Sequence, residues 1–121
     1  MILVAVDDFL FRSKIRATAK QAGVDVSFAR TPGEILDQAR TQHPSMVIFD
    51  LNSATLEPIE TIAAMKRDAT LSSIRTLGFV SHVDTSRIQA ARDAGADDVM
   101  ARSAFAGQLG HILLTDRTAL P

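Results

Sequence analysis

Residues 2–8 read ILVAVDD, a short apolar run rich in β-branched residues that ends in two adjacent carboxylates. Three later runs are similar, namely Val24–Ala29, Met46–Phe49 and Ile74–Val80, and a weaker one covers Val99–Ala101. Runs this short, without strict alternation of polar and apolar residues, are typical of strands buried on both faces of a parallel sheet. The sequence therefore predicts five buried strands.

Stretches of helical length separate these runs, and several carry end signals. Side chains that can cap a helix stand at three predicted helix starts, Thr31, Asp84 and Ser103. Glycines stand at two predicted helix ends, Gly23 and Gly95. The clearest start is Thr31, because Pro32 suits the first helical position and Glu34 is placed to complete a capping box. We expect Leu109, Ile112 and Leu113 on the inner side of the last helix.

Strand and helix alternate five times, with no long linker, internal repeat or low-complexity segment. Because parallel neighbours need right-handed crossovers, the predicted fold class is α/β: a flavodoxin-like (βα)5, doubly wound five-stranded parallel sheet with helices on both faces. The chain has the usual size of one domain, so we expect a single domain over residues 1–121. In such open sheets, ligands bind beyond the carboxyl ends of the strands.

The composition excludes several classes of protein. Lys and Arg number 13 and Asp and Glu 14, which is not the strongly basic balance of a nucleic-acid binder. The chain has no Cys, so disulfides and thiolate metal sites are excluded. No basic lead precedes Asp7, and the longest charge-free run near the C-terminus, Ser103–Thr115, falls short of the ~20 apolar residues of a membrane span. We expect a cytoplasmic protein that enters no membrane.

Polar side chains that suit phosphate chemistry follow the predicted strand ends. They are three carboxylates, one hydroxyl and one guanidinium: Asp7, Asp8, Asp50, Ser81 and Arg102. Two unit charges about 4 Å apart repel by ~4 kcal/mol at an effective dielectric of ~20, so clustered carboxylates need raised pKa values or a cation. An all-oxygen site suits Mg²⁺. These groups could support transfer of a phosphoryl group onto a carboxylate, with Ser81 and Arg102 binding its oxygens.

Four segments, in this order and spacing, resemble the receiver domain of bacterial two-component response regulators. They are ILVAVDD at 2–8, MVIFDL at 46–51, FVS at 79–81 and AGADDVM at 94–100. The resemblance covers almost the whole chain, and each segment looks like a family strand with the residues that border it. The chain is therefore similar to a single-domain response regulator.

The resemblance implies roles for individual residues. Asp50 would accept a phosphoryl group from a sensor histidine kinase or a phosphotransfer protein. Asp7, Asp8 and Asp50 would hold Mg²⁺, together with the backbone carbonyl of Asn52. The signal would pass to a downstream protein target.

The sequence departs from the family pattern at several positions. The family has Lys and then Pro at the end of the fifth strand, where this chain has Arg102 and no proline. Ala54 and Pro58 replace the usual residues of the loop after the acceptor, so we expect a differently built loop. Val99 stands in place of a switch aromatic and has no ring to swing. His82 is either an ordinary loop histidine or a group that limits access to the acceptor.

Plainer interpretations remain open for each residue. Asp50 could be an ordinary strand-end carboxylate, Asp7 and Asp8 could cap the first helix, Ser81 could form a turn, and Arg102 could face solvent. The alternative function is a receiver-like module that is never phosphorylated and acts only as a protein-interaction module, with Arg102 paired permanently in the acidic pocket.

The sequence also bears on enzymatic activity, assembly and chain length. We expect no enzyme, because residues 7–11 read DDFLF, without the Asp-x-Asp of a haloacid-dehalogenase-like phosphatase or the phosphate loop of a flavodoxin. Only Thr115–Pro121 follow the last predicted core residues, so the chain either works through a partner or is a fragment of a longer regulator. A homodimer through the last helical faces is also possible.

Overall fold

The computed structural model describes residues 1–81 and 84–118, in which strands and helices alternate. The elements are β1 Ile2–Ala5, α1 Phe9–Ala22, β2 Val26–Phe28, α2 Pro32–Gln42, β3 Met46–Asp50, α3 Pro58–Arg67, β4 Arg75–Val80, α4 Thr85–Ala94, β5 Asp98–Ala101, α5 Arg102–Gly107 and α6 Leu109–Thr118. The strands form one parallel sheet in the order β2-β1-β3-β4-β5. The predicted fold class is confirmed, and the predicted strand ends shift by at most two residues.

Helices cover both faces of this sheet. Ile2, Val4 and Ile48 pack with apolar residues of α1, α5 and α6 on one face. Leu3 and Phe49 lie on the other face, with residues of α2, α3 and α4. Since every residue of β1 and β3 is buried, the strand sequences are continuous apolar runs rather than alternating ones. No helix in the described part of the chain is long and apolar enough to cross a membrane.

Three phenylalanines join α1, β4 and α5 near the carboxyl ends of the strands. The ring of Phe11 meets those of Phe79 and Phe105 edge-on, with centroids 5.2 and 5.8 Å apart, and Phe79 stacks on Phe105 at 4.8 Å. Such pairs contribute about 0.5–1.5 kcal/mol each beyond their buried area. These ring contacts hold the first turns of α1 and α5 next to each other. Asp8, which precedes α1, and Arg102, which begins α5, are therefore neighbours.

Most of the predicted helix ends are confirmed. Gly23 and Gly95 end α1 and α4 in the left-handed conformation, with φ of 69° and 109°. The hydroxyl of Thr31 accepts the N–H of Glu34 at 3.1 Å, as an N-cap should. Glu34 does not complete the predicted box, because its carboxylate accepts the N–H of Arg30 at 2.7 Å instead. The Glu34 side chain therefore binds the backbone N–H of the residue before the N-cap, rather than the N–H of the N-cap Thr31 itself.

The prediction that Ser103 caps the last helix was wrong. Ser103 lies inside α5, which starts at Arg102 directly after β5, and the cap position, Ala101, makes no side-chain hydrogen bond. The helix is also interrupted at Gln108, near Gly107 and a second glycine, residues of low helix propensity. The predicted inner residues of the last helix are confirmed as buried: Leu109, Ile112 and Leu113.

Gly78 in β4 provides a test of the packing beneath the site. A Cβ atom at this position would lie 2.7–2.9 Å from three side-chain carbons of Leu51. We expect Gly78→Ala to lower the free energy of unfolding by about 1–3 kcal/mol, because Leu51 is fully buried and its displacement would disturb the core around it. Urea denaturation followed by circular dichroism measures this loss.

Gly107→Ala is the matched control. A Cβ atom there meets nothing within 4 Å, and the residue ends a helix, so alanine should be neutral or stabilising by up to about 1 kcal/mol. Equal stabilities of the two variants would contradict the tight contact between Gly78 and Leu51.

Candidate functional site

The residues predicted to form a site lie at one edge of the sheet. β1, β3, β4 and β5 are consecutive neighbours and run in parallel, so their carboxyl ends meet at that edge. The charges of Asp7, Asp8 and Arg102 all act on the carboxyl group of Asp50. The three carboxylates and the guanidinium of Arg102 therefore lie at one edge of the sheet, because the strands that they follow are neighbours.

Asp50 is the last residue of β3 and is nearly buried, with 6% of its surface exposed. Burial raises the pKa of its carboxyl above the usual value, and the charges of Asp7 and Asp8 raise it further. The backbone N–H of Asn52, which donates to Asp50 Oδ1 at 3.0 Å, and the charge of Arg102 lower the pKa in part. A buried carboxyl with a perturbed pKa at a strand end is a candidate functional group, and Asp50 also caps the loop that follows it by accepting the N–H of Asn52.

Asp7 is held by two hydroxyls of the loop that follows Asp50. Its Oδ2 accepts hydrogen bonds from Ser53 Oγ at 2.7 Å and from Thr55 Oγ1 at 2.9 Å. Ser53 is buried, and its hydroxyl also accepts the N–H of Leu56. Sequence reasoning missed Ser53 and Thr55, because nothing in the sequence connects this loop with a carboxylate more than forty residues earlier.

Asp8 uses both of its carboxylate oxygens within the protein. Oδ1 caps α1 by accepting the N–H of Phe11 at 3.1 Å, so the plainer interpretation of Asp8 as a helix cap is also correct. Oδ2 accepts a hydrogen bond from Arg102 Nη2 at 2.9 Å. The Arg102 hydrogen bond, followed by that of Phe11, lowers the pKa of the Asp8 carboxyl.

Arg102 is directed at Asp8 rather than bound to Asp50. Its Cζ also lies 4.4 Å from the centre of the Phe11 ring, an arrangement that adds a cation–π attraction to the ion pair. One third of the side chain remains exposed. The guanidinium therefore contacts a carboxylate that was predicted to be a metal ligand.

Asn52 and Ser81 contact each other, because the side-chain Oδ1 of Asn52 accepts the backbone N–H of Ser81 at 2.7 Å. Sequence reasoning considered only the backbone carbonyl of Asn52. His82, the next residue in the chain, lies outside the described residues. Val99 is half-buried against the core on the α2–α4 face of the sheet, so an aliphatic side chain packs where the family has its switch aromatic.

Arg87 is a further residue that sequence reasoning missed. Its Nη1 donates to the carbonyl of Leu51, the residue after Asp50, at 2.8 Å. The sequence pattern of α4 marks Arg87 only as one polar residue of a surface helix.

The oxygen donors fit a hard cation chemically, but they are not arranged around one position. Within residues 1–81 and 84–118, no group of three or more His, Cys, Asp and Glu side chains is placed to hold a metal ion. Asp7 accepts hydrogen bonds from two hydroxyls and Asp8 accepts one from Arg102, so a cation at this site would compete with these contacts. The assignment of Asp7, Asp8, Asp50 and Asn52 as Mg²⁺ ligands therefore stays a prediction.

The pKa shifts of Asp50 and Asp8 have opposite directions, so substitutions of these two residues should change the stability at neutral pH in opposite directions. The raised pKa of Asp50 stabilises the fold below the ordinary carboxyl pKa of about 4, and this contribution is lost as the pH rises through the folded value. We expect Asp50→Asn, which keeps an acceptor for the N–H of Asn52, to be more stable than the wild type near pH 7, by a margin that shrinks in acid. Urea unfolding at a series of pH values, with a chelator present, measures this margin.

For a substitution of Asp8, the expected change in stability has the opposite sign. Its lowered pKa stabilises the fold above the ordinary carboxyl pKa, and this contribution is lost as the pH falls through the folded value. Asp8→Asn should therefore be less stable than the wild type at neutral pH, by a margin that also shrinks in acid. If both substitutions changed stability in the same direction at neutral pH, the electrostatic description of the site would be wrong.

The fold closely matches solved response regulators. A response regulator from Hahella chejuensis has a TM-score of 0.82 and 18% sequence identity, and the match covers 97% of this chain and 95% of that one. The Mn²⁺-bound form of response regulator Rcp1 has a TM-score of 0.75 and 15% identity over 93% and 91% of the two chains. The phosphorylated cyanobacterial phytochrome response regulator RcpA has a TM-score of 0.73 and 20% identity over 99% and 96%.

Comparison with the curated proteins found no match. The family model described as the response regulator receiver domain matches residues 2–113, which include every predicted site residue. The resemblance inferred from four sequence segments is thus confirmed by a match over nearly the whole chain. The chain belongs to the response regulator receiver domain family.

Proposed function

We propose that this chain accepts a phosphoryl group on Asp50 from a sensor histidine kinase or a phosphotransfer protein. The observation that carries the proposal is the position of Asp50, nearly buried at the end of β3, where the charges of Asp7, Asp8 and Arg102 act on it. Membership of the receiver family, and a structural neighbour that is phosphorylated, support the same role.

The chemistry proposed for Asp50 is nucleophilic. A carboxylate oxygen of Asp50 forms a bond to phosphorus while the bond between phosphorus and the donor breaks, so the deprotonated form of Asp50 reacts. The hydroxyl of Ser81 and the guanidinium of Arg102 would donate hydrogen bonds to the phosphoryl oxygens.

A divalent cation would neutralise the charge that builds up around the phosphoryl group. We propose Mg²⁺ as this cation and Asp7, Asp8, Asp50 and the carbonyl of Asn52 as its ligands. Support comes from the all-oxygen donor set and from the structural neighbour that binds Mn²⁺.

The proposed output is a change in contacts with a downstream protein rather than catalysis of a further reaction. The near balance of 13 basic and 14 acidic residues supports a cytoplasmic protein that binds no nucleic acid through this domain. The exposed side chain of Leu114 on α6 is an apolar contact point that a homodimer through the last helical faces could use.

Intact mass spectrometry tests phosphorylation directly. Incubation with Mg²⁺ and acetyl phosphate should add the mass of one phosphoryl group to the wild type and nothing to Asp50→Asn, because only the carboxylate can react. Asp98→Asn is the control, since Asp98 pairs with Arg75 at the start of β5 and should leave labelling unchanged. Absence of the adduct in the wild type, or its persistence in Asp50→Asn, would exclude the proposal.

One contact favours a second candidate function, a module that binds proteins without phosphorylation. Arg102 donates a 2.9 Å hydrogen bond to Asp8 while its guanidinium lies over the ring of Phe11. The positive charge of Arg102 therefore already compensates negative charge in the site. If this contact is permanent, the site needs no metal ion. The module would then bind its partner in a single state.

A titration with Mn²⁺ discriminates the two functions. If the chain is a phosphoryl acceptor, the wild type binds Mn²⁺, and Arg102→Gln binds it about tenfold more tightly because the ion no longer competes with a charge-assisted hydrogen bond. If the chain is a permanently paired module, only Arg102→Gln binds Mn²⁺. Arg75→Gln, which removes a guanidinium paired with Asp98, is the control and should behave as the wild type in either case.

A further inference from the structure

Two contacts connect the loop after Asp50 with the end of β4 and with the first turn of α4. We propose that Arg87 is a positioning residue that couples the state of Asp50 to the first turn of α4. This inference rests on the proposed function for its biological meaning. The coupling itself is a property of the unphosphorylated protein.

The first contact runs from α4 to the residue after the acceptor. Arg87 Nη1 donates to the carbonyl of Leu51 at 2.8 Å. Leu51 is fully buried, and its N–H donates to the carbonyl of Phe79 in β4 at 2.9 Å. Arg87 therefore binds the carbonyl of a residue that is itself buried in the core and hydrogen-bonded to β4.

Arg87 is also tied to the N-terminus of its own helix. Asp84 caps α4 by accepting the N–H of Arg87 at 3.0 Å, and its other oxygen lies 3.6 Å from Arg87 Nε. That Nε is buried and has no hydrogen-bond partner in the described part of the chain. The guanidinium therefore lies between the carbonyl of Leu51 and the carboxylate that caps α4.

The second contact spans the same gap one residue further on. Asn52 Oδ1 accepts the N–H of Ser81, just before α4 in the sequence, at 2.7 Å. We call these two contacts, Arg87 to Leu51 and Asn52 to Ser81, the clasp. Together they attach two consecutive residues of the acceptor loop to Ser81, which follows β4, and to Arg87 in the first turn of α4.

The carboxylate of Asp50 controls the loop end of the clasp. Asp50 Oδ1 accepts the N–H of Asn52 at 3.0 Å, so phosphorylation or neutralisation of this carboxylate changes the bond that orients residues 51 and 52. The first groups to respond are therefore the carbonyl of Leu51 and the side chain of Asn52, the two acceptors of the clasp.

The helix at the other end of the clasp, α4, buries little apolar surface. Ala91 is the one fully buried residue among the ten of α4, and Ile88 and Ala94 are only partly buried. A helix that buries so little apolar surface opens locally at low cost, so its first turn depends strongly on the contacts at its start. Because Val99 has no ring to swing, the clasp supplies a link between acceptor and surface that does not need one.

Hydrogen exchange of one amide reports the coupling. The N–H of Ile88 donates to the carbonyl of Asp84 at 3.0 Å, so its exchange measures opening of the first turn of α4. Asp50→Ala removes the acceptor for Asn52, and we expect it to speed exchange at Ile88 about tenfold, the effect of losing one charge-assisted hydrogen bond. Arg87→Met should speed it to a similar degree.

The double variant decides the question. If Arg87 carries the coupling, Asp50→Ala in the Arg87→Met background speeds exchange at Ile88 no further. If the two effects add in full, or if Asp50→Ala alone leaves Ile88 unchanged, the proposal is overturned. Exchange rates read by NMR in the full chain, without phosphodonor or metal, give every one of these results.

Two further variants separate coupling from simple loss of stability. Arg92→Met removes an exposed guanidinium from the last turn of the same helix, and Asp50→Ala should still speed exchange at Ile88 in its background. Arg87→Lys retains one donor and should restore part of the coupling. Failure of the Asp50 phosphorylation test would leave these results standing, so the two proposals fail separately.

Discussion

Compensation of three carboxylates at one edge of the sheet is the constraint on which this structure depends. Parallel strands bring Asp7, Asp8 and Asp50 together, and low exposure of Asp50 makes their mutual repulsion costly. The three carboxylates differ in how their negative charge is stabilised. Hydroxyls solvate Asp7, a guanidinium neutralises Asp8, and the raised pKa of Asp50 reflects its burial and the repulsion that remains.

The substitution of Arg for the family's Lys explains why the compensation takes this form. A planar guanidinium can donate to a carboxylate and stack on an aromatic ring at once, as Arg102 does between Asp8 and Phe11. The phenylalanine cluster beneath it also sets the start of α5. Arg102 thereby occupies one oxygen of a carboxylate that was predicted to be a metal ligand.

The loop after Asp50 shows a second consequence of departing from the family pattern. Ser53 and Thr55 anchor the loop to Asp7, while Asn52 and Leu51 connect it to the start of α4. The loop thus contacts both the acidic site and a weakly packed helix. In the proposed coupling, the side chains of Asn52 and Arg87 link the acceptor to the surface without a switch aromatic.

Local patterns were sufficient for the elements of the fold. Continuous apolar runs such as Met46–Phe49 marked buried strands, and Gly23, Gly95 and Asp84 marked helix ends, because these signals act within a few residues. Ser103 failed as a cap because α5 begins one residue earlier, straight from β5. A short loop or none at all after a strand leaves no local mark of where the helix starts.

The sequence alone determined the five-stranded α/β fold, since short apolar runs that alternate with helical stretches require a parallel sheet. The acids meet because β1 and β3 are neighbours, and that strand order belongs to the tertiary structure. Tertiary structure decided which partner each acid takes. Asp8 meets Arg102 across 94 positions of the chain, and Arg87 meets Leu51 across 36. Side-chain pairing over such separations depends on how the helices settle on the sheet, and no local pattern of residues contains that geometry.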